Sequence, residues 1–224
     1  MAIYHCYTEY EPAGLDDQRR HAVARQTWSK QPWQERPVRD TDVPRLWNER
    51  GRRFPYVKDI FDVAAAGLRD EDILIYTNAD NMVRSDCCTV VAELLQNVDA
   101  CYCYRRDFHH QVMTPIPDRD YGKGLDYAGS DLLAFRVGWW KHFRMDMPDM
   151  IIATEAWDPV IRQLIDETND GNVRLHDLIC HERHASYWEN PANRYRLKSQ
   201  LHNLGLAKAF FMERGINPGK FGIP

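Results

Sequence analysis

The feature that most restricts the fold is Ile73-Leu74-Ile75-Tyr76, an unbroken apolar run with β-branched residues that stops at Thr77-Asn78-Ala79-Asp80-Asn81. A run without polar alternation suits a strand covered on both faces, which calls for helices on either side of a sheet. The preceding segment supplies one. From Pro55 to Leu68, Val57, Phe61, Ala64, Ala65 and Leu68 recur at spacings of three and four, the pattern of a helix with one buried face, and Pro55 suits a first helical position.

The rest of the chain extends the alternation. Ala2 to Thr8 reads as a first strand, and Asp16 or Asp17 caps a helix running to Trp28. Asp86 starts a helix carrying Val90, Val91, Leu94 and Leu95, and Ala100 to Tyr104 returns to strand composition. Asp107 to Asp126, rich in Pro, Gly and charge, is expected to be a long loop serving as a substrate-facing lid. Strands are then expected at Leu132–Phe135 and Met150–Ile152, with a short helix around Trp139 and Trp140. A helix from about Ala156 to Asp166 and a helical tail from Asn190 to Gly215 complete the pattern. No repeat or linker divides it. The expectation is an α/β domain spanning residues 1–224, with a mostly parallel central sheet flanked by helices.

Composition excludes several classes. Hydrophobic residues make up 44% and charged residues 28%, too apolar for a disordered chain. No apolar run approaches the ~20 residues that cross a bilayer, and the N-terminus lacks a basic leader, so a cytoplasmic location is expected. None of the six cysteines forms a C-x-x-C pair, which favours reduced structural thiols. The net charge of -4 is unevenly spread: Arg19 to Arg53 holds nine arginines and Lys30 against four acids. Arg194 to Lys220 holds six basic residues and one acid. Such stretches suit a diphosphate or a nucleic-acid backbone, or form solvated helix faces.

In open α/β sheets ligands gather beyond the carboxyl ends of strands, and Asn78-Ala79-Asp80-Asn81 lies just past the most apolar one. Side chains two apart on extended backbone point the same way, so Asn78 and Asp80 can approach one divalent cation. Thr154-Glu155-Ala156-Trp157-Asp158 opens a helix that sets Glu155 and Asp158 on one side, where a carboxylate can act as a base or as a helix cap. Trp157 suits either an apolar wall for a ligand or the core. Ile179-Cys180-His181-Glu182-Arg183-His184 closes a further apolar run with two imidazoles. With His176 and Cys180 these also permit a zinc reading, although the spacing matches no closed site.

Taken in order, these pieces resemble the nucleotide-sugar glycosyltransferases of the GT-A fold. Asn78-Ala79-Asp80 is similar to that family's Asp-x-Asp motif, with an amide in place of the first carboxylate. The resemblance implies Asp80 as a metal ligand, with His181, or alternatively His184, as a further one. It also implies Arg53 or Lys58 on donor phosphate or base, Asp59 on base or ribose, and Asp131, within Ala128 to Arg136, on a sugar hydroxyl. Asp158, with Glu155 a close alternative, would be the base that deprotonates the acceptor. Residues 1–125 would form mainly the donor side, 126–190 mainly the acceptor side, and 191–224 a helical tail. The cofactor implied is Mn²⁺ or Mg²⁺, and the donor a nucleoside diphosphate sugar such as a UDP-sugar. Ile3-Tyr4-His5-Cys6-Tyr7-Thr8 and the arginine-rich region also look like glycosyltransferases that modify hydroxymethyl-pyrimidines in DNA, including the base J type. Two other functions fit the same residues: a metal-dependent phosphoesterase, in which a cation activates water, and a nucleic-acid-binding module built on the arginines.

Overall fold

The computed structural model describes residues 1–12, 14–152, 154–184 and 197–223. Its first half runs β1 (Ile3–Thr8), α1 (Leu15–Trp28), β2 (Gln34–Val38), β3 (Leu46–Glu49), β4 (Arg52–Pro55), α2 (Val57–Ala65), β5 (Ile73–Thr77), β6 (Met82–Val83) and α3 (Cys87–Leu94). The second half runs β7 (Ala100–Phe108), a 3-10 turn (Asp118–Lys123), β8 (Leu125–Arg136), α4 (Val137–Phe143), α5 (Trp157–Thr168), β9 (Arg174–Leu175), β10 (Ile179–Glu182), α6 (Lys198–Glu213) and a second 3-10 turn (Pro218–Phe221).

The principal sheet has the order β2-β1-β5-β8-β7-β10-β6, with β9 pairing to β7. It is mixed. The β2-β1-β5 side is parallel, β8 runs antiparallel to both β5 and β7, and β10 is parallel to β7. All five residues of β5 are buried, as an uninterrupted apolar run between β1 and β8 requires. Phe61 of α2 reaches Tyr76, Phe135 and Trp140 in edge-to-face contacts at 5.0–5.5 Å, tying the helix layer to the sheet. No helix among the described residues is long and apolar enough to cross a membrane.

Several elements depart from the sequence expectation. Pro55 ends β4 rather than starting a helix, because β3 and β4 form a hairpin whose turn places Arg50 and Gly51 at positive φ. The strand expected at Met150–Ile152 is reduced to one bridge, Ile151 to Tyr56. The Asp107–Asp126 lid is also absent from the cleft described below. Strands β7 and β8 extend into that segment from both ends, and between them Tyr121 is buried in a satellite apolar cluster while Asp118 accepts from Ser85 N at 3.1 Å. Residues 190–196 of the expected tail helix lie outside the described residues; α6 begins at Lys198, where Glu49 of the hairpin accepts from Ser199 N at 3.0 Å.

Candidate active site

A cleft of about 1920 Å³ opens at the carboxyl ends of β1, β2 and β5. Single small-molecule pockets occupy roughly 300–1,000 Å³. This cleft is larger than that.

Asp80 sits where β5 ends. Its Oδ2 lies 3.0 Å from His181 Nε2 and 3.0 Å from His184 Nε2. One ligand atom from each of the three residues falls within 4.8 Å of the others. The turn carrying Asp80 is pinned from below: Trp28 Nε1 donates to Asn81 O at 2.8 Å, and Asn81 Nδ2 donates to Asp131 O at 3.2 Å. Burial by itself would raise the Asp80 carboxyl, but the two imidazoles hold it well below the usual carboxylate range. Burial also depresses His181, yet the charge of Asp80 and contacts with Asp107 and Asp80 prevail and raise its pKa. The carboxylates Asp80, Asp107 and Asp131 are gathered here, with Arg105 paired to the last two. One carboxylate and two imidazoles fit a divalent cation in ligand chemistry.

The expected pairing of Asn78 with Asp80 does not form, because Asn78 Oδ1 accepts from Tyr76 OH at 3.0 Å. Asn78 still lines the cleft. The zinc reading with His176 and Cys180 also fails, since His176 stacks on Tyr104 and Cys180 is buried in the satellite cluster with Tyr121.

Ala156 takes φ 75°, a left-handed conformation uncommon for a residue with a Cβ, immediately before α5. The loop there is clamped by the buried amide of Asn203, which accepts from Ile151 N at 2.8 Å and donates to Thr154 Oγ1 at 2.7 Å and to Glu155 O at 3.1 Å. Glu155, Trp157 and Asp158 all line the cleft. Enclosure of the Asp158 carboxyl pushes its pKa up to about 6, with Arg162 opposing and Asp131 reinforcing; Ser130 N donates to its Oδ2 at 3.3 Å. Trp157 lines the cleft and meets Tyr76 edge-on at 6.0 Å.

Of the residues expected to meet the donor, Arg53 lines the cleft and pairs with Asp40 at 3.1 Å, and Asp131 lines it while paired with Arg105. Lys58 and Asp59 are placed elsewhere. Neither lines the cleft: Asp59 is buried against the fork of Arg45, with contacts of 2.8–3.3 Å, and Lys58 pairs with Asp149 at 3.2 Å. The α2 face that carries them is engaged by Arg45 and Asp149 instead.

Sequence reasoning missed Arg105 and Lys220. Irregular register between β7 and β8 at Cys103, Tyr104 and Arg106 lets the adjacent Tyr104 and Arg105 both face the cleft, which regular alternation forbids. Lys220 reaches the cleft on the turn that follows α6, anchored by Phe221 stacked on Phe211 at 4.3 Å and by buried Ile223. Asn217-Pro218-Gly219 was the available signal, a capped turn with proline at its start.

Comparison with solved structures matches the architecture just described. S. aureus TarS residues 1–349 superposes with a TM-score of 0.52 at 10% identity, covering 94% of this chain and 70% of that one. The same protein with UDP-GlcNAc gives 0.53 at 9% identity, covering 94% and 71%. With UDP it gives 0.50 at 9%, covering 94% and 70%. The fold is GT-A-like. No family model matches the sequence, and no curated protein matches it.

Proposed function

We propose that this chain transfers a sugar from a nucleoside diphosphate sugar to an acceptor hydroxyl. The observation that carries the reading is the Asp80–His181–His184 group at the mouth of β5, in a cleft that also holds the Asp158 carboxyl with its pKa near 6. A UDP-sugar is the donor proposed first, because TarS structures of like fold hold UDP-GlcNAc and UDP.

Asp80, His181 and His184 would hold the cation, and two imidazoles favour Mn²⁺ over the harder Mg²⁺. When bound, it supplies positive charge to the oxygens of the departing diphosphate. Residues 1–125 form mainly the donor side of one domain spanning 1–224, with Arg53 and Asn78 toward the nucleotide diphosphate, and Asp131 of β8 faces a sugar hydroxyl. Residues 126–190 form the acceptor side, followed by the tail 191–224. Asp158 accepts the proton of the acceptor hydroxyl as that oxygen bonds to the anomeric carbon. The bond from that carbon to the diphosphate oxygen breaks, and the nucleoside diphosphate leaves with the electron pair. Asp158 is preferred to Glu155 because a pKa near 6 suits a base working at neutral pH.

For the acceptor, the finer proposal is a hydroxymethylated pyrimidine in DNA, supported by the resemblance of the opening strand and the arginine-rich segment. Internal pairing limits that support: Arg19 and Arg20 pair with Glu182, Arg25 and Arg39 with Glu9, and Arg53 with Asp40. A panel of nucleotide sugars with Mn²⁺, tested with and without modified DNA duplexes and simple polyols, separates the readings. Consumption of one nucleotide sugar only when an acceptor is present is expected. Acceptor-independent hydrolysis of many phosphate esters would establish a phosphoesterase instead, and DNA binding with no thermal shift from any nucleoside diphosphate would establish a binding module.

A further inference from the structure

We propose that Asp107 and Arg105 are positioning residues for the candidate metal centre, with Asp107 orienting the His181 imidazole and Arg105 holding Asp107 and Asp131 on one support. The inference rests on the metal reading of Asp80, His181 and His184. Register is where it begins. On the parallel pair β10–β7, His181 stands opposite Asp107, which sets a carboxylate beside the ring that turns its Nε2 toward Asp80. The other nitrogen, Nδ1, is buried and among the described residues has no partner besides Asp107, whose Oδ1 lies 3.5 Å from it. A histidine that ligates through Nε2 must carry its proton on Nδ1, and an acceptor at that nitrogen selects this tautomer and fixes the ring plane.

Asp107 is itself held. Arg105 Nε donates to its Oδ1 at 2.7 Å and Nη2 to its Oδ2 at 3.3 Å, while Nη1 pairs with Asp131. The guanidinium lies 3.8 Å above the ring centre of Tyr127, which fixes its plane. The irregular register of β7 and β8 turns this arginine into the cleft wall. A buried Arg–Asp pair is by itself weak evidence for stability, since desolvation offsets much of the attraction. Its alignment with an otherwise unpartnered ligand nitrogen supplies a separate role, and through Arg105 the sugar-facing Asp131 shares the same support.

Calorimetric titration with Mn²⁺ alone tests this on wild type, Asp107→Asn, Asp107→Glu and Arg105→Lys, each checked by circular dichroism and thermal unfolding without metal. Asp107→Asn should bind Mn²⁺ about 10–100-fold more weakly with secondary structure unchanged, the range expected for removing a ligand's outer partner. Asp107→Glu should recover part of the affinity, and Arg105→Lys should lose part of it. If Asp107→Asn does not fold, the other two variants carry the test. Wild-type affinity in every folded variant overturns the proposal while leaving the metal reading intact. Failure of the wild type to bind Mn²⁺ overturns the metal reading, and this proposal with it.

Discussion

Two carboxyl groups in one cleft are pushed in opposite directions. Burial acts with the same sign on Asp80 and Asp158, disfavouring the charged form of each. Asp80 faces two imidazoles at 3.0 Å and is held well below the ordinary carboxylate range; Asp158 has Arg162 for partial relief and Asp131 against it, and rises to about 6. Neighbours rather than depth therefore set the two directions. A carboxylate that stays ionised suits a cation, and one that takes up protons near neutrality suits acid–base work.

The largest expected effect comes from removing the permanently charged partner. Asp80→Ala should lower turnover by roughly a thousandfold, since it removes an anchor for charge stabilisation at the leaving group. Mn²⁺ binding should disappear, with circular dichroism unchanged. Retention of turnover within tenfold of wild type would end the assignment of Asp80 to the cation.

Asp158→Asn sharpens the other half of the contrast. Turnover should fall by ~10²–10⁴-fold, the usual share of a positioned base. Wild-type turnover should rise with pH up to about 6 and then level off, as the carboxyl loses its proton. Stability moves the opposite way. The folded pKa lies above the unfolded value of about 3.9, so the contribution of Asp158 is fully present below that value and is lost as pH rises through about 6. The asparagine variant should then gain about 3 kcal/mol over wild type between pH 3.5 and pH 7.5, read from urea melts at both values. A difference that stays flat across that interval would mean the carboxyl is not raised.

The same contrast marks how far the sequence could be read. Strand β5 and the acids and imidazoles at element ends were legible because periodicity and abrupt changes from apolar to polar residues are local properties of the chain. Asp80, His181 and His184 meet from positions about a hundred residues apart, and their motifs still pointed to one another through their order. Arg105 was not legible, since a register irregularity between β7 and β8 decides which way it faces and no pattern of residue types announces it. The clamp by Asn203 depends on α6 docking against the loop before α5, again a tertiary fact. Lys58 and Asp59 lie off the cleft lining for a related reason. The segment before α2 had the right charges, but the β3–β4 hairpin, unseen in the sequence because its strands are only four residues long and do not alternate, takes the cleft-facing position through Arg52 and Arg53.

That displacement gives the smallest expected effect. Lys58 Nζ lies 3.2 Å from Asp149 Oδ1, and Asp149 also receives Arg45 Nη1 at 2.8 Å, so Lys58→Met leaves no carboxylate unpaired. A part-exposed pair of this kind contributes about 0–1 kcal/mol, and the variant should unfold within that margin of wild type. Its KM for the donor should stay within about twofold, because a side chain that does not touch substrate changes neither ground-state nor transition-state binding. The same assay on Arg53→Met should raise KM by about tenfold, the size of a lost charge-assisted hydrogen bond. If the two variants respond alike, the α2 face and the hairpin share the donor, and the cleft must rearrange around β4 and the start of α2 when nucleotide binds. If only Arg53→Met responds, the donor is read by the hairpin, and the charges of α2 serve to lock Arg45 against Asp59 beneath it.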